Sequence, residues 1–140
     1  MDLGVGSPVG FVGLSLSRWL GTHAAIEGGV GYGYTGLQLS LLAKAALASG
    51  QNLCSLAGGP STSLSVKNDS NQPRLTWAHA ELGCQRLERD FLIAISAGVA
   101  FGIRGQFQAF CLFPLDSDCK PINIEGRVFP MIRVGVGRRF

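Results

Sequence analysis

The sequence predicts an all-β fold: eight antiparallel strands in up-and-down order, rolled into a transmembrane β-barrel. Three observations carry this expectation. Apolar residues alternate with small or polar ones along most of the chain, the period of two that gives a strand two unlike faces. Charge is scarce, 15% of residues against 46% hydrophobic, with 20 glycines in 140 positions; a water-soluble domain carries about 25% charged residues. The non-apolar face is mostly Gly, Ala and Ser with isolated charges, whereas a face meeting water would be about a quarter to a third charged.

The length points to one domain over residues 1–140, and no Pro-rich or charged linker divides it. A net charge of +3 without a Lys/Arg run gives no footing for nucleic acid. The longest apolar stretch, FLIAISAGVAFGI at 91–103, falls short of the roughly 20 residues of a spanning helix but exceeds the roughly 9–11 of a spanning strand. The opening MDLGVGSPVG has no basic segment followed by an apolar one. It is therefore not expected to be a signal peptide, and export would place the numbering after a removed signal.

The first strand is expected at 2–6, with Leu3 and Val5 on one face; SPVG turns the chain. The second, at 10–18, sets Val12, Leu14 and Leu16 against Phe11, Gly13, Ser15 and Ser17, and WLGT follows. The third, at 23–32, sets Ala24, Ile26, Gly28, Val30 and Tyr32 against His23, Ala25, Glu27, Gly29 and Gly31. The fourth, at 36–47, opposes Leu37, Leu39, Leu41, Ala43, Ala45 and Leu47 to Gln38, Ser40, Leu42, Lys44 and Ala46. A helix over LQLSLLAKAALAS has the propensities, but the alternation persists through it and favours a strand.

The fifth strand is expected at 53–67, with Gly58, Gly59 and Pro60 marking a bulge or an early end. NDSNQP is a turn. The sixth, at 75–86, sets Ala78, Ala80, Leu82 and Cys84 against Trp77, His79, Glu81, Gly83 and Gln85. LERD leads to the seventh, at 91–103, with odd-numbered apolar positions on one face. A long loop at 104–127 precedes the eighth strand, MIRVGVGRRF, which sets Ile132, Val134 and Val136 against Gly135, Gly137 and Arg133.

WLGT, ASGQN and LERD are short and alternate with connections that include NDSNQPRL and the 104–127 loop. Short turns at one end, longer loops at the other and an even strand number are the habit of outer-membrane barrels, whose termini are periplasmic. Small residues suit a narrow interior, so the Gly/Ala/Ser face is assigned to the lumen and the Leu/Ile/Val/Phe face to lipid. Glu27, Lys44, Glu81 and Arg133 all fall on the lumen side, two acids and two bases. Buried charges demand partners, so they are expected to form one network, with His79, Gln38 and Gln85 as further members. Trp19, Phe91 and Phe140 are expected at the periplasmic rim, and Tyr32, Tyr34, Phe101 and Trp77 at the outer one. Arg138, on the lipid side near the chain's end, would snorkel to head groups.

Together these features resemble the small eight-stranded outer-membrane barrels of Gram-negative bacteria, the OmpA/OmpX-like group. In that group the final strand ends in an aromatic residue with apolar residues at alternate positions before it, a signal read by the barrel assembly machinery. Phe140, Val136, Val134 and Ile132 match it, and Arg138 is a less usual occupant. The resemblance implies a bacterial outer-membrane location, lipid and lipopolysaccharide as surroundings, and the assembly machinery as a partner in biogenesis.

The even cysteine count suits two disulfides in an oxidising compartment. Cys111 and Cys119 would close a small surface loop, and Cys54 and Cys84 would join neighbouring strands; the competing reading is buried thiols. No zinc spacing is present. Asp116 and Asp118 are a weak cation signal, and no metal or cofactor is expected. His79, Glu81 and Ser96 could be grouped as a hydrolytic set, but no local motif supports it. The leading expectation is thus a non-enzymatic membrane protein with no open pore, in an anchoring or structural role or engaging a protein partner through loop 104–127. The alternatives are a lipid A-modifying hydrolase and a soluble lipid-binding barrel.

Overall fold

The computed structural model describes residues 2–8, 10–33, 36–48, 52–64, 75–89, 91–108 and 121–138. They form β1 (Asp2–Ser7), β2 (Gly10–Trp19), β3 (Ala24–Gly33), β4 (Gly36–Ala48), β5 (Asn52–Leu64), β6 (Thr76–Glu88), β7 (Phe91–Arg104), β8 (Gln106–Gln108), β9 (Pro121–Asn123) and β10 (Val128–Arg138). β8 and β9 pair only with each other, and the eight long strands form one antiparallel sheet in the order β1-β10-β7-β6-β5-β4-β3-β2. The sheet curls into a barrel-like shape. Asp2 of β1 stands opposite Gly135 of β10 on one side and Gly13 of β2 on the other.

The alternation of the sequence becomes an inner and an outer face. Leu14, Leu16, Ile26, Leu41, Leu82, Ile93, Ile95, Ile132 and Val136 are all more than two-fifths exposed, with Leu16 at 75%. Glu27, Gln38, Ser61, His79, Glu81, Ser96 and Arg133 are buried. This polarity is the reverse of a water-soluble domain, which hides its large apolar residues. Leu42 and Met131 are apolar exceptions on the inside, both fully enclosed.

Two inner glycines are dictated by close approach. A Cβ on Gly98 would lie 2.1 Å from the Ala80 carbonyl oxygen, and one on Gly59 would lie 2.1 Å from that of Leu41. Gly10, with φ of 83°, turns the chain into β2 and lies against the Tyr32 and Gly33 backbone. The turn after β6 places Arg89 at φ 55°, a left-handed conformation that bulky residues adopt uncommonly.

Three sequence expectations need correction. Gly58, Gly59 and Pro60 neither bulge nor end β5: Ser40 pairs with Ser61 and Ala43 with Gly58 in one unbroken register. Pairing with β4 lapses at the intervening positions, where Pro60 has no N–H to give, and its register shifts elsewhere, between Ala46 and Ala48, while pairing with β6 runs straight through Pro60. The stretch 104–127 is not simply a loop, because its two ends pair as β8 and β9, Gln106 opposite Asn123. Trp77, placed by parity on the inner face and also expected in the rim girdle, takes the inner position, edge-on to Phe129 with ring centroids 5.4 Å apart, and so does not join a lipid-facing girdle. The helical alternative for 37–49 also fails, since β4 covers Gly36–Ala48.

Candidate functional site

The interior is built in layers. Strand period puts Glu27 of β3, Lys44 of β4, Glu81 of β6 and Arg133 of β10 on the inner face at similar height. Arg133 forks between two acids, its Nη1 2.6 Å from Glu27 Oε1 and its Nη2 2.7 Å from Glu81 Oε1. Lys44 ion-pairs with the second oxygen of Glu27. The predicted quartet is thus brought together, with Arg133 at its centre.

Two serines complete it. Ser17 Oγ donates to Glu27 Oε2 at 2.7 Å, and Ser96 Oγ donates to Glu81 Oε2 at 3.0 Å. Each carboxylate oxygen therefore has a named partner, the condition under which buried charge is tolerated. The sequence reading placed Ser17 on the inner face without a role and considered Ser96 only for catalysis. The signal that could have found them is their position on the inner face of β2 and β7, neighbours of the strands that carry the acids.

His79 and Gln38 do not join this quartet. They form a neutral layer one step toward the longer connections, where Gln38 Nε2 donates to Ser61 Oγ at 3.2 Å and Ser61 Oγ lies 2.6 Å from His79 Nε2. His79 Nδ1 faces the Met131 sulfur at 3.4 Å. Ser40 Oγ, in the same layer, is buried without a hydrogen-bond partner among the described residues. Above it, Leu75 donates its N–H to Ser63 Oγ at 3.1 Å, Trp77 meets Phe129, and Ile124 is wholly enclosed. This apolar layer roofs the interior.

The chemistry available here is limited by these partners. Ser61 and His79 have the contact of a nucleophile and a base, but a hydrolytic set also needs a carboxylate to orient the imidazole. Glu81 is committed to Arg133 and Ser96, and the other imidazole nitrogen meets a thioether. The predicted grouping of His79, Glu81 and Ser96 is thus split between two layers. A cavity beside the quartet, lined by Lys44, Ser55, Glu81, Gln85, Ser96 and Arg133, has a volume of about 20 Å³, the scale of a single water. Gln85 lines it without a hydrogen bond to the quartet among the described residues. Those residues also hold no cluster of three metal-ligating side chains.

Cys54 and Cys84 face each other across β5 and β6 and form a disulfide. Cys111, Cys119, Asp116, Asp118, Tyr34 and Phe140 lie outside the described residues. Val134 and Val136 stand on the exposed face of β10. Comparison with protein-family models, with curated proteins and with solved structures finds no match for this chain.

Proposed function

We propose that this chain is an integral outer-membrane β-barrel of the OmpA/OmpX-like kind, closed, filled and non-enzymatic, serving as an anchor or structural element of the envelope. The observation that carries the reading is its inverted polarity. A belt of exposed Leu, Ile and Val surrounds the sheet, while the charged quartet lies within. Soluble monomers rarely expose contiguous apolar patches beyond a few hundred Å², and backbone groups in lipid need a sheet without free edges. On this reading the end bearing the short turns is periplasmic, and the chain's surroundings are outer-membrane lipid and lipopolysaccharide. The assembly machinery would recognise β10, and the 104–127 segment would meet any protein partner.

The filled interior argues against conduction. The quartet, the Ser61–His79 layer and the Trp77–Phe129 roof succeed one another along the axis. The same features disfavour the soluble lipid-binding alternative, which needs an apolar cavity. The Ser61–His79 contact is the one observation favouring a lipid A hydrolase, and mass spectrometry of lipid A with and without the gene separates that reading. Membrane fractionation with a heat-modifiability gel tests the main one. The protein should resist carbonate extraction and change mobility on boiling; release without detergent overturns the proposal. Stable large single-channel steps would overturn the absence of a pore.

A further inference from the structure

Charge on the outer face gathers at one end. Among the described residues of the long strands, Arg18 on β2, Arg86 and Glu88 on β6 and Arg138 on β10 have outward parity, all beside the short connections. The opposite end of that face carries Tyr32, Thr62, Thr76, Phe101 and Val128, with Arg104 opposite Thr76 past a register shift.

The densest part of this charge lies where β6, β7 and β10 run side by side. Arg138 stands opposite Phe91, and Phe91 opposite Glu88; on the next outward row, Val136, Ile93 and Arg86 are aligned in the same way. Phe91 is 63% exposed. Arg86 Nη2 reaches Glu88 Oε1 at 3.0 Å, with both side chains largely exposed, and Arg89 is exposed in the adjoining turn. Three arginines and one glutamate thus frame an exposed aromatic ring at the edge of an apolar belt. β6 and β10 are separated by two strand spacings, about 10 Å, which two arginine arms span together.

We propose that this corner binds an anionic phospholipid. Arg86 and Arg138 donate to its phosphate, a group that guanidinium matches with paired N–H donors. Their stems lie on the apolar surface while their heads reach the polar layer. Phe91 sits at the interface, and the acyl chains lie along Ile93, Val136 and Leu82. Glu88 holds the Arg86 guanidinium through one nitrogen, and the remaining donors face outward. Arg138, an unusual occupant of the lipid-facing parity, thereby gains a role. The proposal rests on the membrane-spanning reading above.

The test uses the full chain refolded in detergent and titrated with dioleoylphosphatidylglycerol or dioleoylphosphatidylcholine, with retained lipid read by native mass spectrometry. Wild type should retain phosphatidylglycerol several-fold better than phosphatidylcholine, since each basic residue near an anionic surface gives roughly a fivefold preference. Arg86→Gln/Arg138→Gln should abolish the selectivity, Arg86→Lys/Arg138→Lys should keep part of it, and Arg18→Gln should leave it intact. Selectivity unchanged in the Gln double variant, or lost equally in Arg18→Gln, overturns the site. Should the double variant not fold, wild-type selectivity must still fall as NaCl rises, and salt independence overturns the proposal. Boiled and unboiled gel mobility in phosphatidylcholine vesicles is scored separately: a wild-type chain that never inserts removes the membrane reading, whereas one that inserts without lipid selectivity removes only this site.

Discussion

Arg133 on the last strand meets Glu27 on the third at 2.6 Å, a pairing between residues 106 positions apart in sequence. The same guanidinium holds Glu81 at 2.7 Å on the opposite flank. One side chain therefore ties β10 to both β3 and β6, strands that do not pair with one another.

Removing that tie should be severe. Arg133→Met leaves two enclosed carboxylates without their shared cation, and breaking a buried pair in this way costs about 3–5 kcal/mol. Urea titration of vesicle-folded protein should show a lower midpoint. Arg133→Lys should fall between the two, because a single ammonium cannot fork to both acids.

Exposed apolar positions distinguish lipid from water. Ile95, at mid-length on β7, is 59% exposed. In a bilayer Ile95→Arg should cost about 2–4 kcal/mol, seen as reduced insertion on a heat-modifiability gel. A water-facing surface would accept the same substitution with a change within about 0.5 kcal/mol.

Glycines should separate by their surroundings. Gly98→Ala drives a methyl toward a backbone oxygen 2.1 Å away, whereas Gly28→Ala meets nothing within 4 Å. The first should lose about 1–3 kcal/mol through forced backbone displacement, and the second should stay near neutral. Parallel urea titrations of the two variants give the comparison.

The Cys54–Cys84 bridge closes a segment with a sequence separation of 30. Cys54→Ala/Cys84→Ala should still fold, because both strands are paired along their lengths on either side. Its stability should fall by at most about 3–4 kcal/mol, the loop-closure entropy of such a segment. Non-reducing peptide mapping should recover the cross-linked pair from wild type.

The predicted inner and outer faces match the structure along most of the described strands, since period-two alternation needs only local geometry; His23, expected inside with Ala25 and Glu27, instead lies exposed in the turn before β3. Val12, Leu14 and Leu16 point outward and Glu27 and Lys44 inward for that reason alone. The scarcity of charge and the isolated acids and bases on one parity likewise marked out the quartet before any fold was known. Residue parity, however, carries no height and no angle around the sheet. Only the three-dimensional pairing decided that Ser17 and Ser96 satisfy the acids, that His79 turns to Ser61 and Met131, and that Trp77 closes over Phe129. It also carried β5 through Pro60, which stays paired with Ala78 of β6 where its pairing with β4 lapses. The sequence by itself determined which side chains face inward; the register of the strands determined which of them meet, because contact depends on where neighbouring strands lie relative to one another.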